Sequence, residues 1–233
     1  MKIRIKFEKT GALVYIGHLD VMRYFQKLFR RAQIPVKYSE GFSPHQILSF
    51  SHPLPLGMES EGEYADVELT DSITSDEAIR RLDIESVPEI KIKSFKELPE
   101  RAENAMASVK AARYRVSFIN SNPFADKLSD VVKRTLSSKE LSVVKVTKKS
   151  EKIVDIRPFI YELEAISDNT IEMLISSGST DNVKPELLIN AIASMYGLES
   201  IDETELKMKR IDQYTLKNDK LISLDEVGSR ING

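Results

Sequence analysis

The chain has 233 residues, of which 41% are hydrophobic and 30% charged, the profile of an ordinary folded protein of two domain lengths and not of a disordered one. It has no cysteine, which removes disulfides, cysteine-ligated zinc and iron–sulfur sites and thiol catalysis together. The net charge of −2 hides an asymmetry: residues 1–57 hold nine Lys or Arg against three acids, a net of +6, which leaves −8 on the remainder. All three histidines, His18, His45 and His52, lie in the basic block. Such a block points to an anionic partner, or to docking on the acidic remainder of the chain. The N-terminus alternates charged and apolar residues, and no apolar run approaches a membrane span. A soluble, cytoplasmic protein without membrane contact is expected.

In chain order, KIRIKFE is a strand with Ile3, Ile5 and Phe7 on one side and Lys2, Arg4, Lys6 and Glu8 on the other. A helix over 18–33 carries an apolar stripe of Leu19, Met22, Phe25, Phe29 and Ala32, with Arg23, Lys27, Arg30 and Arg31 largely off it. Pro35 fits a stop. Residues 46–51 and 63–69 are strands, 74–82 a helix capped by Thr74 with Glu77 in capping-box position, and 89–95 a strand. The order is β-α-β-β-α-β, a split βαβ or ferredoxin-like unit over residues 1–98. Residues 99–112 read as a linker. The order recurs over 113–217, with strands at 113–119, 141–146, 152–166, 170–176 and 205–214 and helices at 123–136 and 185–196. Residues 218–233 read as a flexible tail. The expected fold class is α+β, two tandem ferredoxin-like (split β-α-β) domains.

No dinucleotide fingerprint, nucleophile elbow or His-Glu-x-x-His is present, and Gly57 and Gly62 have P-loop spacing but are followed by Glu63 where a lysine is required. No metal or other cofactor is expected. His18 suits a general base and equally a plain helix start; His45 is the other catalytic candidate. The least ordinary stretch is 38–57, where Tyr38, Glu40, Phe42 and His45 sit on a loop shaped by Gly41 and Pro44. A stacking platform on the sheet is not expected, because Arg4 and Lys6 face Tyr64, Asp66 and Glu68 across neighbouring strands. The basic side of the first helix is the better place for phosphates. In the second half, Asp155-Ile156-Arg157-Pro158 is the most distinctive word, and Arg157 is expected to reach Glu40 or Asp20 and fix the loop, while Lys148 serves as an indifferent control.

The words Phe7-x-Lys9-x-Gly11, His18-Leu19-Asp20-x-x-Arg23, Arg30-Arg31-Ala32, Tyr38-Ser39-Glu40-Gly41-Phe42-x-Pro44-His45, Ser49-Phe50 and Pro53-Leu54-Pro55-Leu56-Gly57, followed by Ser60 and Glu63, resemble the radical SAM-linked protein family, a domain of unknown function found beside or fused to radical-SAM proteins. The resemblance is dense over about the first seventy residues. It implies an accessory unit for a radical-SAM protein, near RNA processing, and no established reaction. The expected function is a binding module that recognises RNA, or another anionic substrate, through Arg23, Lys27, Arg30, Arg31, Tyr38, Glu40, Phe42, His45 and Arg157, with no DNA involved. The alternatives are a stand-alone, metal-independent RNA-processing enzyme using His18 or His45, and a protein–protein adaptor.

Overall fold

A computed structural model describes residues 1–120, 122–124, 127–146, 151–178 and 181–233. The fold is mixed α+β with mostly antiparallel sheet. It divides into two compact units: residues 1–109 with 212–233, and residues 110–211.

The first unit starts with β1 (Lys2–Lys9), α1 (His18–Arg31), β2 (Leu48–Phe50), β3 (Glu59–Glu68), α2 (Ser75–Glu85), β4 (Ile92–Glu97) and the short α3 (Ala105–Ser108). β1 lies between β3 and β4, antiparallel to both, and β2 pairs with β3. Strand alternation sends Ile3, Ile5 and Phe7 to one face, where they pack with Phe50, Ala65, Val67 and Phe95 against both helices. α1 presents Val21, Phe25, Leu28, Phe29 and Ala32 to that core. Leu19 does not belong to the stripe: it stands about 200° round the helix from Val21 and is 63% exposed. The helix ends at Ala32, after which Gln33 takes a left-handed φ of 51°. Thr74 caps α2, its hydroxyl accepting from the Glu77 N–H at 3.3 Å.

The second unit contains β5 (Ala111–Phe118), α4 (Leu128–Ser137), β6 (Ser142–Val146), β7 (Glu151–Asp155), β8 (Ile160–Ser167), β9 (Thr170–Ser176), α5 (Pro185–Met195) and the first part of β10 (Leu206–Lys217). Its strands run in the order β10-β5-β9-β8, while β6 and β7 form a separate two-stranded hairpin. The single strand expected over 152–166 is therefore two. Ile156 turns into αR backbone and a 3-10 turn, Arg157–Phe159, breaks the ladder. Pro158 in that turn has no N–H to give it.

The last residues return to the first unit, with β11 (Lys220–Ser223) and β12 (Ser229–Arg230). They are not a loose tail. Asn218 and Asp219 both have positive φ, 51° and 60°, the requirement of a tight two-residue hairpin turn, and β11 pairs back on β10. β12 pairs with β4, where Gly228 is needed because a Cβ would stand 2.9 Å from the Glu97 carbonyl oxygen. Residues 99–109 are likewise not a bare linker: Ala105 and Val109 bury against Tyr64 and Leu224. These two segments cover the sheet face opposite α1 and α2. Among the described residues no helix is long and apolar enough to cross a membrane.

Candidate functional site

The exposed side of α1 carries the cations, but two of them have local partners. Arg23 pairs with Asp20 at 3.3 Å, with both side chains well exposed. Arg31 donates to the Glu85 carbonyl at 2.9 Å and stands 3.5 Å from its carboxylate. Among the described residues Arg30 donates only to the Gln26 carbonyl, at 3.2 Å. Lys27 is exposed with no ion pair among the described residues. The face is thus most cationic at Lys27 and Arg30.

Beside it stands the 39–45 loop, which is closed on itself. The Ser39 N–H donates to the His45 carbonyl at 2.8 Å, the His45 N–H donates to Ser39 Oγ at 3.1 Å, and that hydroxyl lies 2.9 Å from His45 Nδ1. Tyr38 and Gln46 are bridged across its base. The Gln46 amide then donates to the Gln26 carbonyl on α1 and to the Tyr38 hydroxyl, each at 3.3 Å. Gly41, at φ +105°, turns the apex and needs no side chain to do so. Phe42 is fully exposed there, with Tyr38, Glu40 and His45 also exposed. A fully exposed aromatic thus sits at the apex of a loop whose base is tethered to α1, one residue before Lys27.

His18 is elsewhere. It lines a small cleft with Phe7, Lys9, Val21, Phe50, Ser51, His52, Pro53, Leu54 and Glu63, and His45 is not part of that wall. The His18 ring stands edge-on to Phe50, centroids 5.5 Å apart. Lys9 is only 3% exposed and donates to the Ile16 carbonyl at 3.0 Å, and Glu63 is 7% exposed. Behind the cleft the buried Gln213 amide donates to Ser51 Oγ at 3.0 Å and to the Gly62 carbonyl at 2.8 Å. Seven of the ten wall residues come from the N-terminal words Phe7-x-Lys9, His18, Ser49-Phe50, Pro53-Leu54 and Glu63. Sequence reasoning named only His18 here. Yet Lys9 continues the inward alternation of Ile3, Ile5 and Phe7, and Glu63 that of Ala65, Val67 and Leu69. Charged residues at inward positions were the available signal.

The other face of the sheet is no platform for bases. Arg4, 2% exposed, holds Asp66 with two bonds of 2.8 Å and donates to the Glu103 carbonyl; Asp66 also accepts from the Ala105 N–H. The expected pairing of opposite charges across β1 and β3 is therefore present, with Arg4 in register with Asp66. Tyr64 is buried and donates to Asp212, which also pairs with Lys6 at 3.1 Å. Burial, and then the Asp212 charge, hold the Tyr64 phenol well above its ordinary pKa. A larger cavity of about 180 Å³ lies at the end of this face, but its acids are engaged, Asp66 by Arg4 and Glu68 by Lys37 at 3.6 Å.

Arg157 does not reach for Glu40 or Asp20. Its guanidinium donates to the Leu136 carbonyl at 2.6 Å and the Ile160 carbonyl at 3.1 Å, both in the second unit. Asp155, two residues earlier, accepts from the Leu141 and Arg157 N–H groups. The word Asp155–Pro158 thus ties the end of α4 to the start of β8 at the broken strand. Lys148 lies outside the described residues. Among the described residues no group of three His, Asp or Glu side chains converges as a metal site.

No curated protein matches the sequence. A chain from the crystal structure of a Cbf5–Nop10–Gar1 complex shares 10% identity at a TM-score of 0.46, over 91% of this chain and 48% of that one, so this chain spans about half of its length. One family model matches residues 2–185, more than three quarters of the sequence. The chain belongs to the family described as "uncharacterized protein conserved in bacteria (DUF2344)".

Proposed function

We propose that the chain is a cytoplasmic binding module that takes RNA, or another anionic partner, on its first unit and presents it to a radical-SAM enzyme. The observation that carries the binding reading is the arrangement at α1. Phe42 is solvent-exposed on a loop closed by Ser39 and His45 and tethered through Gln46 to Gln26, on the helix that holds Lys27 and Arg30. Proteins that bind single-stranded nucleic acid combine cations for the backbone with aromatic rings for bases. The enzyme partner rests on the resemblance of the N-terminal words alone. For the architecture we favour two ferredoxin-like units, with β6–β7 inserted as a hairpin in the second: the strand orders β4-β1-β3-β2 and β10-β5-β9-β8 support it.

Fluorescence anisotropy of a labelled single-stranded RNA with the full chain at low salt tests the binding reading. Binding that weakens in Phe42→Ala and in Lys27→Ala is expected; no binding by the native chain contradicts it. Two other readings have an observation each. The charged cleft around His18 favours a metal-independent ribonuclease, which predicts RNA turnover lost in His18→Ala. Exposed Tyr15, Leu19 and Leu56 favour a protein adaptor, which predicts a partner retained after ribonuclease treatment.

A further inference from the structure

The RNA reading leaves unused the cavity of about 180 Å³ on the sheet face opposite α1 and α2, which lies wholly within the first unit. Register sets its floor. Lys2 stands opposite Glu68, and the Glu68 N–H donates to the Ile47 carbonyl at 3.1 Å, so these three lie side by side; Ser49, opposite Asp66, belongs to the next row. Two strand spacings by one two-residue step make that floor about 10 Å by 7 Å. The roof is Leu98, Ala102 and Asn104, and it is pinned on both sides. The Leu98 N–H donates to the Lys2 carbonyl at 2.9 Å, while Arg4 donates to the Glu103 carbonyl at 3.1 Å and Asp66 accepts from the Ala105 N–H at 2.7 Å. The space is therefore built into the fold and is not a gap under a loose segment. It has room for about a dozen waters, or for a molecule of about ten non-hydrogen atoms. The polar groups of the wall divide into engaged and free. Asp66 is taken by Arg4 and Glu68 by Lys37. The Lys2 ammonium and the Ser49 hydroxyl have no partner among the described residues. Asn104 uses its carbonyl oxygen to cap α3 at 2.9 Å, which leaves its NH2 group to donate. The free groups can all donate, and one of them is charged. A single negative charge suits them: a dianion would meet the two carboxylates, and an amine would find both already taken. Ile47, Leu48, Val67, Leu98 and Ala102 supply an apolar surround for the rest of the ligand.

We propose that this cavity binds a small carboxylate with an apolar body, its negative charge met by Lys2 and its body lodged between Ile47 and the Leu98–Ala102 roof. The site shares no residue with the Phe42 surface, and it can exist whether or not that surface binds RNA. Its test is a titration of the full chain followed in the backbone amide nitrogen–proton spectrum. The probes are phenylacetate, its neutral amide phenylacetamide and the cation 2-phenylethylamine, which share an apolar body and differ in charge. Phenylacetate should give saturable shifts at the Ser49, Glu68 and Ala102 amides and bind about tenfold or more tighter than either analogue, the worth of a charge-assisted hydrogen bond. Lys2→Gln should remove that preference, so that acid and amide bind alike. Ala102→Leu fills the cavity and should block binding while the melting temperature holds. Lys27→Ala should leave phenylacetate binding unchanged, since Lys27 belongs to the RNA surface. Acetyl-leucine set against an acetylated tripeptide ending in leucine separates the two sources of such a group: tighter binding of the first identifies a free acid, and tighter binding of the second a peptide terminus. The proposal is overturned if the folded native chain shows no saturable shift with phenylacetate at millimolar concentration. It is overturned equally if the amide or the amine binds as well as the acid, or if Lys2→Gln keeps the preference.

Discussion

Phe42 and Asp66 mark the two kinds of residue in the first unit. Phe42 touches nothing that holds the fold, since it is fully exposed at a loop apex. Its removal should leave thermal stability unchanged and weaken single-stranded RNA binding by about 1–3 kcal/mol, the worth of one stacked base, read as roughly a 5- to 150-fold rise in Kd. Asp66 is the reverse. It is the partner of a fully buried arginine and also accepts the Ala105 N–H. Asp66→Ala strands the Arg4 charge and should cost about 3–5 kcal/mol in a denaturant titration. The exposed Arg23–Asp20 pair is worth under about 1 kcal/mol by comparison. The Arg4–Asp66 contact was legible in the sequence because antiparallel register and alternation together place them opposite each other. The burial of Lys9 and Glu63 was legible by the same parity, since each shares its strand's inward positions. Arg157 was misjudged for another reason: a distinctive word signals that a side chain is constrained, not to what.

α2 and the C-terminal segment show what operates at the level of the element. Thr74 caps α2 as its spacing suggests, but Glu77 does not reach back to complete the capping box. Its carboxylate is taken by Arg80 and Arg81, at 2.8 and 2.6 Å. The hydrogen bond from Arg80, then that from Arg81, hold the Glu77 carboxyl at about 2 against an ordinary 4.5. A folded-state value below the unfolded one contributes stability that is present above pH 4.5 and is lost as the pH falls toward 2. Replacing Arg80 and Arg81 with Gln should therefore lower the melting temperature at pH 6 and make little difference at pH 2. The C-terminal segment was invisible as structure because its strands are short and polar, and their partners, β4 and the far end of β10, are remote in sequence or reached by a hairpin turn without glycine. Terminating the chain after Lys217 removes the fully buried Leu224 and the Lys96–Asp225 pair, and exposes the Tyr64 face. A loss of at least about 3 kcal/mol is expected, on the order of 10 °C in Tm; an unchanged melting curve would show that the segment is dispensable.

At the level of the whole molecule, the β-α-β-β-α-β order of the first unit was recoverable from periodicity, while the break at Ile156 and the pairing of the last residues were not. The sequence places its basic residues in the first 57 positions, yet a count of charges cannot tell that Arg4 and Lys9 are buried, that Arg31 is tied to Glu85, and that Lys27 and Arg30 are left to face water. The boundary of the first unit was missed at its C-terminal side because strand pairing there is long-range, and local composition carries no trace of it. Of nine basic residues, then, only a few face water, and on the proposed reading these set the size of the electrostatic contribution to binding. The most direct measurement is the salt dependence of single-stranded RNA affinity, taken on the full chain between low and moderate ionic strength. With Lys27, Arg30 and Arg23 neutralising about two to three phosphates, log K should fall against log salt with a slope of roughly −1.4 to −2.1, and Lys27→Ala should make the slope shallower by about 0.7. Binding that is absent at low salt, or present but indifferent to salt and to Lys27, would contradict the assignment of this surface to an anionic partner.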